Sequence, residues 1–266
     1  PVDTHDKRSR VFIMPSYPTS GTEFVRLLYS KFTDLSKATM YPQEGNLTLF
    51  KRVTTDLDVY VSRPFPPPIN GSTLMKTHHP STYHAPFDEI DMHDHFAGIV
   101  LLVRNPGDCV LRNAARWACK NDPDKSCETE QAYTFCSELA RLGSNWRGMY
   151  DYWIAKGVQY NLPVYVLRYE DVILDQRETF LKLISFMNEG REDFQLREDW
   201  LDEELQKPEN QGRATFEYGT TAQVCPSAHF QLLMENVGTS LLDRLGYTVD
   251  YERQSFAWTP FPHRLN

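Results

Sequence analysis

The run "AGIVLLV" (97–103) has no polar side chain and is cut off by Arg-Asn-Pro-Gly. A half-exposed strand would alternate polar with apolar residues; an unbroken short run fits a strand covered on both faces, the mark of a parallel sheet between helical layers. "VFIM" (11–14) and "PVYVLRYE" (163–170) read the same way, and "TLMKTH" (73–78) as a shorter strand. Helical spacing connects them. Phe24, Leu27, Leu28 and Phe32 place a helix over Thr22–Phe32, and Asp108–Ala118 follows the Arg-Asn-Pro-Gly break. Phe135, Leu139, Leu142, Trp146, Met149 and Trp153 form one stripe of a long helix near 129–156. Further helices are expected over Gln176–Met187, around "DWLDEELQ", and over about 227–245. Strands alternating with helices imply a three-layer α/β/α fold with a central parallel sheet. With no repeat and no convincing linker, residues 1–266 are expected to form one domain.

In such sheets ligands bind beyond the carboxyl ends of the strands. Four turns fall there. "YPTSGTEF" (17–24) joins strand to helix through small residues; its backbone N–H groups and the helix dipole favour an oxyanion, with Ser20 and Thr22 as hydroxyl donors. An ordinary turn capped by Ser20 or Thr22 reads the same. Lys76 and His78, two apart at a strand end, project together and offer a fixed cation and a base that titrates near neutrality; a solvated lysine and a structural histidine remain the alternative. Arg104 ends a buried strand, where a guanidinium is costly unless it meets an anion, a ligand or a carboxylate such as Asp108 or Asp171. Arg112, two turns into the next helix, can face the same space, and Tyr169 leaves its strand where a ring lies on a base or simply packs.

Taken in order and spacing, these turns resemble the sulfotransferases that use 3′-phosphoadenosine 5′-phosphosulfate (PAPS). Tyr17 to Phe24 is similar to that family's Tyr-Pro-Lys-Ser-Gly-Thr-Thr-Trp loop, Lys76-Thr77-His78 to its Lys-Thr-His, Arg104-Asn105-Pro106 to its Arg-Asn-Pro, and Tyr169-Glu170-Asp171 to its Tyr-Glu-Asp. The resemblance runs from about residue 10 to 190 and makes the first loop a P-loop-like phosphosulfate-binding turn. It implies that Ser20, Gly21 and Thr22 hold the phosphosulfate, that Phe24 stacks on adenine with Tyr169 beside it, and that Arg104 takes the 3′-phosphate. His78 is then the general base and Lys76 the cation at the leaving oxygen. No metal is implied, and the acceptor is a hydroxyl on a carbohydrate, small molecule or peptide.

Three positions depart from the family. Thr19 stands where its loop lysine is usual, Glu23 replaces a second threonine, and Arg112 replaces a serine of the 3′-phosphate site. Glu23 and Arg112 are therefore expected to pair with each other, or Arg112 to add a phosphate ligand. The C-terminal Arg-Lys-Gly motif is missing; Arg213 in "GRATFEYG" is its expected replacement. A non-catalytic protein of the same fold is the alternative that Thr19 and Glu23 support. A zinc enzyme using the histidines between His78 and His95 is a second alternative, although their spacing matches no compact ligand motif. A kinase fits less well, lacking the P-loop lysine and an acidic magnesium ligand.

The net charge of −8 argues against a nucleic-acid partner. Two N-glycosylation sequons, at Asn46 and Asn70, together with Cys119 and Cys127 bracketing a polar loop that a disulfide would close, favour the secretory lumen, the Golgi in particular; a reduced cytosolic protein with five thiols is the alternative. The sequence starts at Pro1 without an apolar leader, so a processed or trimmed lumenal domain is expected, attached to a membrane only through an anchor outside this stretch. The acceptor cleft is expected from 33–73 and 188–226, with Tyr60, Phe65, Tyr83 and Phe87 as wall residues. These segments are not basic, which favours a neutral sugar, small hydroxyl compound or peptide over a heavily charged glycan.

Overall fold

The run at 97–103 becomes β6 (Gly98–Val103), buried along its whole length and paired in parallel with β1 (Arg10–Pro15) on one side and β7 (Val164–Arg168) on the other. In the computed structural model the described residues are 10–33, 37–39, 48–50, 59–61, 72–80, 92–94, 96–120, 133–189, 198–207, 225–258 and 264–265. β5 (Ser72–Thr77) lies on the far side of β1, followed by β2 (Lys37–Thr39), β4 (Val59–Val61) and β3 (Thr48–Phe50). β10 (Arg264–Leu265) closes the β7 edge antiparallel, and β4 and β3 are antiparallel at the other edge. The chain therefore runs from β1 to β5 on one side and to β6 on the other. That reversal opens the crevice at the carboxyl ends of β1, β5 and β6.

Alternate strand residues feed two separate cores, which makes the fold three-layered. Ile13, Ile99, Leu101, Val103 and Val166 pack with Trp146, Met149, Trp153 and Leu233 on one face. Phe12, Met14, Val100, Leu102 and Leu167 pack with Leu28, Phe180, Ile184 and Leu201 on the other. The first layer contains α2 (Pro106–Lys120), α3 (Leu139–Gln159) and α7 (Ser227–Val237); the second contains α1 (Thr22–Thr33), α4 (Tyr169–Leu174), α5 (Gln176–Met187) and α6 (Glu198–Gln206). A Cβ at Gly143 would stand 2.9 Å from Leu233, so that glycine sets how closely α3 and α7 approach.

Three expectations are corrected. The long helix starts with a 3₁₀ turn over Tyr133–Glu138. The last helix is two, α7 and α8 (Thr239–Arg244), divided at Gly238, whose φ of +80° leaves the helical path while its carbonyl accepts from Leu241 and Leu242. The β7 strand ends at Arg168, and Tyr169-Glu170-Asp171 opens a short helix instead. A hairpin of β8 (Tyr247–Asp250) and β9 (Ser255–Trp258) follows α8. Cys136 and Cys225 form a disulfide, a pairing not expected from the sequence; Cys127 lies outside the described residues, so the Cys119–Cys127 pairing is not addressed. Among the described residues no helix is long and apolar enough to cross a membrane.

Candidate functional site

β1 delivers the chain into the first turn with Ser16, which bonds through its N–H to the Thr77 carbonyl at the end of β5. Thr19 and Gly21 then take positive φ, 70° and 85°, so the loop folds back before Thr22 starts α1. Gly21 has no substitute here. A Cβ would enter the Tyr169 ring, and the backbone conformation disfavours any other residue. The Thr19 hydroxyl donates to the Cys109 carbonyl (2.8 Å), which turns this side chain towards α2. Ser20 is fully buried, with its hydroxyl 3.3 Å from Cys109 Sγ. Burial pushes the Cys109 thiol up to about 12, so it is a neutral, inert floor under the loop.

Arg104 bonds the loop from the neighbouring strand, donating from Nη1 to the Thr19 carbonyl (3.1 Å) and from Nη2 to Asp108 (3.4 Å). Its guanidinium carbon is 4.7 Å from the Tyr169 ring centroid, and that ring meets Phe24 edge-on at 6.4 Å. Burial opposes the Arg104 charge, but Cys109, Asp108 and Glu170 outweigh it and raise its pKa. For Arg112, burial and then the nearby Arg104 lower it. The two guanidiniums thus share one region.

What holds Arg104 at this height is a cap. Asn105 accepts from the Asp108 N–H (2.9 Å) and donates back to its carboxylate (3.1 Å), with Pro106 as first helical residue. Asn105 also donates from its backbone N–H and Nδ2 to Glu170 (2.9 and 3.0 Å), and Tyr247 donates to the other Glu170 oxygen (2.8 Å). Asp171 instead accepts from two Arg168 nitrogens, Nε at 2.8 Å and Nη2 at 3.1 Å. The Arg-Asn-Pro and Tyr-Glu-Asp turns therefore hold each other. Asn-Pro followed by Asp at the third helical position was the readable signal for this cap.

At the end of β5, His78 Nδ1 lies 2.6 Å from the Ser16 carbonyl oxygen. A carbonyl only accepts, so Nδ1 carries the proton and the neutral ring has its lone pair on Nε2. The Ser16 hydroxyl is 2.6 Å from that of Thr22, which links this ring to the start of α1. Lys76 donates to Glu23 Oε1 (2.9 Å), and Arg26 donates to the same oxygen (2.7 Å). This corrects the expected partner of Glu23, which is Lys76 with Arg26. Parallel pairing of β1 with β5 brings α1 over the end of β5, and the sequence separation hides it.

The structure thus gathers Thr19, Ser20, Gly21, Thr22, Glu23, Phe24, Lys76, His78, Arg104 and Tyr169 at one end of the sheet, with Arg112 next to Arg104. Arg213, His84, His95, Phe65, Tyr83 and Phe87 lie outside the described residues, and nothing is described of the Tyr60 side chain. His79 packs against Tyr152 and Trp153, and among the described residues no three His, Cys, Asp or Glu side chains cluster as metal ligands.

A family model described as the sulfotransferase domain matches residues 8–218. No curated protein matches the sequence. Among solved structures, the crystal structure of the mouse sulfotransferase SULT7A1 complexed with PAP matches with a TM-score of 0.54 and 14% identity, over 90% of this chain and 87% of that one. At that identity the likeness concerns the fold.

Proposed function

Because this chain belongs to the sulfotransferase domain family, we propose that it moves a sulfonate from PAPS to an acceptor hydroxyl, with His78 as the base. The observation that carries this reading is the hydrogen bond from His78 Nδ1 to the Ser16 carbonyl. It makes Nε2 the acceptor nitrogen of the neutral ring at the end of β5, beside the end of β1 from which the turn departs. In the reaction the acceptor oxygen bonds to sulfur, the bond from sulfur to the bridging phosphate oxygen breaks, and the bond electrons stay on that oxygen. His78 takes the acceptor proton. Lys76 offsets the charge on the leaving oxygen, a task in which a fixed cation lowers the barrier directly.

Donor binding falls to the turn. Ser20, Gly21 and Thr22 offer backbone N–H groups at a helix start, where the dipole favours oxyanions. Arg104, with Arg112 adjacent, would take the 3′-phosphate, since an anion offsets both the burial and the nearby Arg104 charge that lower the Arg112 pKa. Phe24 and Tyr169 are the adenine-side aromatics. The acceptor is a hydroxyl on a sugar, small molecule or peptide, and no metal is required. The Cys136–Cys225 disulfide supports an oxidising compartment, the secretory lumen.

A second reading, a protein of this fold that binds without catalysing, is favoured by Glu23 sitting on Lys76. Calorimetry and turnover separate the two. Micromolar binding of 3′-phosphoadenosine 5′-phosphate (PAP), the spent donor, is expected for the wild type, weakened at least a hundredfold by Arg104→Ala. His78→Ala should keep that binding and lower sulfonate transfer by roughly 10²–10⁴-fold. Nucleotide binding with no transfer to any of a panel of hydroxyl acceptors supports the second reading. No nucleotide binding defeats both.

A further inference from the structure

Glu23 places a carboxylate beside the cations of the proposed anion site, and it belongs to this chain rather than to the family pattern. It is the second residue of α1, inside the first turn, where the helix dipole favours negative charge. Its Oε1 accepts from Lys76 at 2.9 Å and from Arg26 at 2.7 Å. The two cations have side chains only 6% and 2% exposed, whereas that of Glu23 is 61% exposed. One carboxylate oxygen therefore bridges two buried cations at the positive end of a helix.

We infer that Glu23 is an internal counter-anion that competes with the nucleotide for Lys76, and so sets how tightly the protein holds donor and spent donor. The inference rests on the sulfotransfer reading and extends it. An incoming phosphosulfate meets a site whose lysine is already partnered. To engage Lys76 it must draw the ammonium from Glu23 or share it, with two negative groups then facing one another. Arg26 keeps the carboxylate anchored during the exchange, because it donates to the same oxygen from three residues further along the helix. The outcome is a weaker grip on both nucleotides than the cations alone would give, and a faster departure of product. Glu23 acts through Lys76 and is a positioning residue.

The test is a double-mutant cycle read by calorimetric titration of PAP into wild type, Glu23→Gln, Lys76→Ala and the double variant, with Arg104→Ala alongside. Glutamine keeps an oxygen that can accept from both cations but removes the charge. Glu23→Gln should tighten PAP binding about tenfold, a little above the roughly fivefold that one charge about 4 Å away is worth in bulk water and well below its unscreened effect near a protein surface. Most of the gain should be lost when Lys76 is alanine, and with donor and acceptor present KM for the donor should fall while kcat does not rise. A purely structural Glu23 would move the melting temperature and leave this split untouched. Glu23→Thr is read in the same way if the glutamine variant fails to fold. Unchanged or weaker PAP binding by the uncharged variant, or a gain that persists in full without Lys76, overturns the inference while Arg104-dependent binding leaves the sulfotransfer reading standing. Absence of PAP binding in every protein, wild type included, overturns both.

Discussion

Glu170 is fully buried and serves three donors: the Asn105 N–H, the Asn105 side-chain amide and the Tyr247 hydroxyl. Burial raises its pKa, more than those hydrogen bonds and Arg104 lower it. The folded protein thus binds this proton more tightly than the unfolded chain does. Its contribution to stability is fully present below the ordinary glutamate pKa and is lost as pH rises through the raised value. Urea unfolding across pH 4 to 8 should show that falling limb in the wild type and a flatter profile in Glu170→Gln. Glu170→Ala should lose about 3 kcal/mol at neutral pH, because it leaves buried donors without an acceptor. Residues of this kind show what a sequence discloses about a site. Arg104 was legible, since a guanidinium ending a buried strand needs an oxygen, and it finds Asp108 and the Thr19 carbonyl. The Glu23–Arg26 half of the charge cluster follows from helical spacing. The Lys76 half does not, nor does Tyr247 on Glu170, because each depends on which strands and loops become neighbours in space.

Among the elements, continuous apolar runs identified β1, β6 and β7 because burial on both faces leaves no other composition available. The Gln176–Met187 helix was read to the residue, its Asp175 accepting from the Glu178 N–H as N-cap. β2, β3 and β4 were not legible: three residues are too few to show a period of two. The break between α7 and α8 was hidden by Val237, Leu241 and Leu242, which keep the helical spacing across Gly238. The staple between elements was also missed. Cys136, ahead of α3, joins Cys225, ahead of α7, across 89 residues of chain. In a chain-entropy view, closing a loop of that length is worth roughly 4–5 kcal/mol. A double serine variant at 136 and 225 should melt about 10 °C lower by calorimetry, taking a few degrees per kcal/mol for a chain of this size. Its PAP affinity should stay within about twofold, since both cysteines lie outside the four turns in the chain, ahead of α3 and α7.

Over the whole molecule, a chain of net charge −8 brings Lys76 and Arg104, with Arg112 on the following helix, to one end of the sheet, the charge that the proposed function asks for. The four turns all fall within residues 8–218, the part shared with the sulfotransferase family. The supports of that part do not. Cys225 answers Cys136, Leu233 fills the groove at Gly143, and Tyr247 closes the Glu170 network from beyond it. The stretch matched by the family model is therefore expected to be smaller than the unit that folds alone. A fragment cut at residue 218 would carry every inherited motif and still be expected to show helical far-ultraviolet dichroism without the near-ultraviolet signal of fixed Trp146 and Trp153, and no cooperative melt. A sharp melt in that fragment would show that residues up to 218 fold without the disulfide, Leu233 and Tyr247.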